Sequence, residues 1–211
     1  MKKIIVTLLL CVPLMMSAQN TWEEKAEETS TQKYLVGAVP QVNGQVVFNK
    51  QIKCPGKSKQ DIYNIVLPFM KKMVKDEGQL EQSRIAMSDS VEYVIVGRYE
   101  EWLVFKKRPL LLDRTRLFYN LVCRCSDGSL DVTISNIHYL YDEERDPIAY
   151  KAEEWITDKY GLTKNKAKLS RVSGKFRQKT IDRKNYLFDK LESILKSEEK
   201  EFSFGKKDGL L

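Results

Sequence analysis

Apolar and polar positions alternate with more than one period along this chain, and the changes of period mark its elements. Residues 4–16 are one apolar run, broken only by Thr7 and Pro13, and Asn20 to Lys33 is polar with no sustained period. Pro40, Asn43 and Gly44 then predict a turn before a valine-rich strand over Gln45 to Ile52, closed off by Cys54, Pro55 and Gly56. Ser58 with Asp61 three residues on has the form of a capping box. Ile62, Ile65, Val66, Phe69 and Met73 recur after it at helical spacing, which places them on one face of a helix. Burying each contributes about 1.5–3 kcal/mol. Pro68 lies inside this pattern; a proline there lacks an N–H and clashes with the preceding turn, so it predicts a kink or an early end.

From Ser83 the period becomes that of strands: Ser83 to Ser88, Val91 to Arg98, Glu101 to Lys106, Thr115 to Cys125 and Leu130 to Tyr141. The second and third can join as one long bent strand. In Thr115 to Cys125 the set Leu117, Tyr119, Leu121, Cys123 and Cys125 alternates with Arg116, Phe118, Asn120, Val122 and Arg124, a core face and a mixed one. Ser126, Asp127 and Gly128 predict a hairpin turn. In the next strand Val132 and Ile134 point inward, then Ile137, Tyr139 and Tyr141, a register change that predicts a bulge near Ser135 and Asn136. A short helix is expected over Tyr150 to Tyr160, ended by Gly161. A last helix is expected from Thr180, with Ile181, Leu187, Phe188, Leu191, Ile194 and Leu195 as its apolar stripe. The order predicts an α+β domain with helices on one face of an antiparallel sheet.

The start of the chain changes the picture from a cytoplasmic domain to an exported one. Lys2 and Lys3, the apolar run and the pair Ser17–Ala18 have the layout of a secretory signal peptide cleaved near Ala18. The run falls short of the roughly 20 apolar residues that span a bilayer. Cys11 lies within it after Leu10, poor placement for lipidation. The expected division is 1–18 signal peptide, 19–33 flexible leader, 34–200 a single domain and 201–211 a flexible tail, with the mature chain in the periplasm or cell envelope. Removing Lys2 and Lys3 leaves 34 basic against 29 acidic groups. Of the three cysteines then remaining, Cys54, Cys123 and Cys125, at most one pair can bridge within the chain. They are read as small buried hydrophobes, with a bridge from Cys54 to Cys123 or Cys125 left open.

Several segments together resemble a known family: Lys33 to Ile52, Pro55 to Tyr63, Glu100 to Lys106, Leu112 to Leu121, Ile137 to Pro147, Ala152 to Leu162 and Val172 to Asp182. The family comprises small secreted domains of unknown function from gut-type Gram-negative bacteria with a TATA-binding-protein-like (TBP-like) fold. The resemblance implies strand, helix, curved antiparallel meander and closing helix, with helices on one face of the sheet. It implies no activity, because function resides in sites placed on folds rather than in folds.

Chemistry-bearing residues are sparse. His138 is the one histidine; Cys123 and Cys125 with it make a weak zinc pattern lacking a fourth ligand. Asp142, Glu143, Glu144 and Asp146 lack the spacing of a calcium loop. No cofactor or metal is expected. Asp113, Arg114 and Arg116 open the long strand, where the arginines either bond nearby carboxylates or capture an anion. Lys159 to Lys184 holds ten basic residues against one acid, Asp182. Such a run is either a solvated face or an anion-binding surface. The candidate anion-binding residues are Arg114, Arg116, Lys164, Lys166, Lys168, Arg171, Lys175 and Arg177. The functional expectation is a non-enzymatic envelope domain binding an anionic lipid, glycolipid or envelope protein, with no nucleic acid. One alternative is an enzyme, which calls for a deep pocket where Asp or Glu converges with Arg114, Arg116 or His138. The other is a structural accessory of an envelope complex, which calls for an exposed apolar patch on the sheet.

Overall fold

The computed structural model describes residues 31–205, apart from 77, 109, 110 and 144, so the expected signal peptide and Cys11 lie outside the described residues. A short 3₁₀ turn, Thr31–Tyr34, precedes a two-stranded hairpin of β1 (Gln41–Val42) and β2 (Gln45–Val46). Asn43 and Gly44 between them both have positive φ, 51° and 80°, the backbone that a tight two-residue hairpin turn requires. β3 (Phe48–Lys53) leads to α1 (Lys59–Met73), followed by β4 (Arg84–Asp89), β5 (Val94–Arg108), β6 (Leu111–Ser126) and β7 (Ser129–Tyr141). β8 (Ile148–Lys151), α2 (Ala152–Trp155) and α3 (Ser173–Gly205) complete the described chain.

The main sheet has the order β3-β7-β6-β5-β4 and every pairing is antiparallel. β3 covers only the first half of the β7 edge, Ser129 to Ile134, and β8 covers the second, His138 to Tyr141. The bulge expected in β7 divides the two halves: Asn120 faces Ser135, Phe118 faces His138, and Asn136 takes φ 54°. β5 is one long strand, as the pattern allowed, with a further register shift between Val104 and Lys106. Such bulges increase local twist.

α1 opens with the expected capping box, Ser58 Oγ accepting from Asp61 N–H at 3.2 Å and Asp61 Oδ2 accepting from Ser58 N–H at 3.2 Å. Its buried face is Ile62, Tyr63, Val66, Met70 and Met73, a rotation from the expected one that leaves Ile65 and Phe69 half-buried. The helix runs through Pro68 to Met73 with neither an early end nor a break. Pro68 is exposed, so the backbone acceptor it leaves without a partner lies on the solvent side.

α1 and α3 cover one face of the sheet. Tyr99 Oη donates to Met70 O of α1 at 3.1 Å, and the Tyr139 hydroxyl bonds Thr180 Oγ1 of α3 at 2.7 Å. Leu103, Leu117, Leu121, Cys123, Leu130 and Val132 fill the space between. Gly97 belongs to this inner face because the Tyr99 ring lies where its Cβ would be. Cys54, Cys123 and Cys125 are buried and free, so no bridge from Cys54 forms. Two expected helices are corrected. Tyr150 belongs to β8 and α2 spans only Ala152–Trp155, because the vacant edge of β7 takes that segment as a strand. α3 starts at Ser173, ahead of Thr180, and continues to Gly205, into the expected tail.

Candidate functional site

The basic run from Lys159 to Lys184 divides at the start of α3. Within the helix its cations turn inward. Arg177 has no exposed surface: its Nε donates to Tyr34 O at 2.6 Å and Nη1 to Ile156 O at 2.8 Å. Its Nη2 donates to Leu35 O at 2.6 Å and to Asp158 Oδ1 at 2.7 Å. It is a clamp joining the 3₁₀ turn, the segment after α2 and α3, which removes it from the candidate anion-binding set. Gly161 sits against this clamp, since a Cβ there would come 2.8 Å from Ile156 O and 2.9 Å from Arg177 Cδ.

Lys175 is likewise committed. Its Nζ donates to Asp113 Oδ2 at 2.7 Å and Tyr141 Oη at 3.1 Å, and stands 4.6 Å from the Phe105 ring centre. Arg183 donates from Nε to Glu101 Oε1 at 2.7 Å, both residues being buried. Burial, the largest influence, lowers the pKa of Arg183, but the charge and hydrogen bond of Glu101 together with Tyr119 outweigh it and hold the guanidinium protonated.

The segment before α3 is different. Lys159, Lys164, Lys166, Lys168 and Arg171 are exposed, and among the described residues no ion pair engages Lys164, Lys166, Lys168 or Arg171. Yet the loop is ordered by its own bonds. Leu162 and Leu169 form a β-bridge, Thr163 N–H donates to Lys168 O at 2.9 Å, and Lys166 N–H donates to Thr163 O at 2.7 Å. Thr163 Oγ1 and Asn165 Oδ1, 2.8 Å apart, take the remaining N–H groups of Ala167 and Lys168. Buried Leu162 anchors the base. Four cations are thus held on a preformed turn without neutralising carboxylates.

Arg114 and Arg116 lie elsewhere, on the face of the sheet that carries no helix. Arg114 stacks on Trp102 at 3.7 Å from the ring centre, whereas Asp113, its sequence neighbour, pairs with Lys175. Arg116 is held between Glu100 Oε1 at 2.8 Å and Glu143 Oε1 at 2.5 Å, so its charge is more than balanced. Neither joins the loop cations. His138 stacks on Phe118 on the same face, with ring centres 4.6 Å apart. Phe118, Trp102 and Val122 are half-buried on this face, and Met87 and Leu112, also on it, are 46% and 45% exposed.

A cleft of about 610 Å³ lies between the C-terminal end of α1 and the middle of α3. Phe69, Met73, Tyr186 and Ile194 contribute its apolar walls and the Glu101–Arg183 pair lies at its floor. Glu101 Oε2 accepts from Gln79 Nε2 at 3.1 Å and Oε1 from Arg183, so both carboxylate oxygens already have internal partners. Tyr119 is buried beside the pair. Neither Glu101 nor this cleft was singled out by the sequence, where the pair Glu100–Glu101 in a strand does not show which of the two turns inward. Arg114, Arg116 and His138 project from the opposite face of the sheet.

Comparison with known proteins places this geometry in context. A family model described as "Domain of unknown function (DUF4468) with TBP-like fold" matches residues 48–140, from β3 to β7, and stops short of the basic loop. The crystal structure of a DUF4468 family protein from Bacteroides ovatus ATCC 8483 is 40% identical, covering 80% of this chain and 96% of that one with a TM-score of 0.73. That of a TBP-like protein from Parabacteroides distasonis ATCC 8503 is 21% identical, covering 75% and 97% with a TM-score of 0.59, and supports the fold alone. No curated protein matches the chain.

Proposed function

Since the chain belongs to the DUF4468 family of TBP-like domains, and family and fold carry no reaction with them, we propose that it acts by binding: an exported, non-enzymatic envelope domain that holds an anionic partner against its basic loop. The observation that carries this reading is the set Lys164, Lys166, Lys168 and Arg171, exposed on an ordered turn and free of ion pairs among the described residues. Cations without internal partners raise the local concentration of counter-charge and speed encounter. A preformed turn also lowers the entropy lost on binding. Export rests on the layout of the first 18 residues and turns the loop towards the envelope instead of the chromosome, so nucleic acid is not the partner proposed.

The test is retention of the mature chain on immobilised inorganic polyphosphate across a salt gradient. Wild type is expected to be retained and to elute as salt screens the charges; the variant with Lys164, Lys166, Lys168 and Arg171 replaced by glutamine is expected to pass through with its melting temperature unchanged. Equal retention of the two overturns the reading. Export is checked separately, by sequencing the N-terminus of the chain recovered from the envelope fraction. A start near Gln19 is expected, and retention in the cytoplasm with Met1 intact overturns it.

A further inference from the structure

Exposed apolar side chains stand beside the exposed cations. Val36, Tyr160 and Val172 are 61%, 41% and 53% exposed. They come from three separate segments, and hydrogen bonds around Arg177 draw those segments together. Leu35 O and Asp158 Oδ1 both accept from Arg177 Nη2, while Gly37 N–H donates to Asp158 Oδ2 at 2.9 Å, so both neighbours of Val36 are tied to the Asp158 turn. Two residues beyond Asp158, Tyr160 O accepts from Ser173 Oγ at 2.5 Å, which ties the Tyr160 main chain to the residue that follows Val172. Lys159 directly precedes Tyr160, and Arg171 directly precedes Val172. Ser170 N–H donates to Gly161 O at 2.9 Å, which joins the basic loop to the same end.

A rigid group of apolar side chains bordered by cations matches the chemistry of a bilayer interface. There apolar groups enter the boundary between headgroups and acyl chains, and lysine and arginine meet lipid phosphates. A free phosphate or a soluble polyanion would use the charges and leave Val36, Tyr160 and Val172 in water. Among the described residues no helix is long and apolar enough to cross a membrane, so what this end offers is contact with the surface. We propose that this end of the molecule docks on an anionic lipid bilayer, with Val36, Tyr160 and Val172 entering the interface and Lys159, Lys164, Lys166, Lys168 and Arg171 contacting lipid phosphates. The proposal rests on the anion-binding reading of the loop and adds to it the partner and three residues.

The experiment is co-sedimentation of the mature chain with vesicles of phosphatidylcholine, with and without phosphatidylglycerol, run beside the polyphosphate column. Wild type is expected on the phosphatidylglycerol vesicles alone, losing about fivefold in partition for each cation neutralised. The Val36→Ser, Tyr160→Ser, Val172→Ser triple variant is expected to lose on the order of tenfold in partition while keeping its polyphosphate retention and its melting temperature. A Val172→Trp variant is expected to gain blue-shifted emission over wild type when phosphatidylglycerol vesicles are added, and none with polyphosphate. Polyphosphate retention without vesicle binding overturns the bilayer and leaves the anion-binding loop standing. Loss of both overturns both. Vesicle binding that the triple variant leaves unchanged overturns the role of the three apolar residues.

Discussion

Replacing Arg177 by alanine separates a cation that holds the fold from one that binds a ligand. The guanidinium makes four hydrogen bonds of 2.6–2.8 Å, three to main-chain carbonyls and one to Asp158. Hydrogen bonds to charged groups are worth about 1.5–3 kcal/mol each, but they do not all vanish without compensation. Asp158, with 26% of its side chain exposed, can be hydrated once the arginine is gone, whereas the Tyr34 and Ile156 carbonyls face a void. Removing one side of a buried pair costs about 3–5 kcal/mol, and about 4 kcal/mol is the expectation here. For a domain of this size that lowers the melting temperature by roughly 8–16 °C. Arg177→Lys keeps the charge but not the planar fork, and should lose about half as much. The assay is a thermal melt by circular dichroism with amide exchange of residues 31–37, the segment the clamp holds. An Arg177→Ala protein that melts within about 2 °C of wild type, less than 1 kcal/mol on the same scale, refutes the clamp. So does one that loses polyphosphate retention while its stability stays intact.

Two further outcomes follow from buried groups and a third from Pro68. Burial pushes the Cys125 thiol up from its usual 9.0 to about 12 and also raises Cys123, Tyr99, Tyr119 and Tyr139, so the folded chain keeps protons that the unfolded chain loses above about pH 9–10. Their contribution is full below those unfolded values and declines as pH rises past them, by up to about 1.4 kcal/mol per pH unit and group. A urea midpoint that stays constant from about pH 8 to pH 11 contradicts this. Glu101→Gln should destabilise by about 3–5 kcal/mol because it strands Arg183 in the core, and Glu101→Leu with Arg183→Met should recover much of that; an additive double-mutant cycle in urea shows the pair to be uncoupled. Pro68→Ala restores a helical N–H on the solvent side of α1 and should gain about 2 kcal/mol, the interior-proline cost less the lost stiffening of the unfolded chain. A lower melting temperature in that variant means the helix depends on the proline.

The strands were legible because each presents one face to helices and one to solvent, which leaves a clean period of two: Leu117, Tyr119, Leu121 and Cys123 in β6 are buried as their alternation requires. The β7 bulge was legible for the same reason, as a break in that period at Ser135 and Asn136. The start of α3 was not. Its buried face includes Ser173, Phe176, Arg177, Thr180 and Arg183, a helical spacing that appears only when polar and charged residues are counted as core. Reading charge as exposure hid two turns of helix and put Arg177 and Lys175 among the ligand-binding candidates. The segment Tyr150 to Tyr160 failed for a topological reason. Its strand character depends on the β7 edge left vacant beyond β3, a fact about distant residues.

The division of the basic run also bears on what the loop can do. Lys175, Arg177 and Arg183 each have a carboxylate partner from another element, Asp113, Asp158 and Glu101, so their charges are balanced and their removal acts on folding. Lys164, Lys166 and Lys168 follow one another at alternate positions, with no acid between Lys159 and Arg171, on a turn whose hydrogen bonds are made by Thr163, Asn165 and main chain. None of those bonds uses a lysine side chain. Surface positions of this kind shift stability by no more than about 0.5 kcal/mol when substituted. No carboxylate among the described residues balances the charge there, and the fold does not depend on it, which is the arrangement the proposed anion-binding role requires.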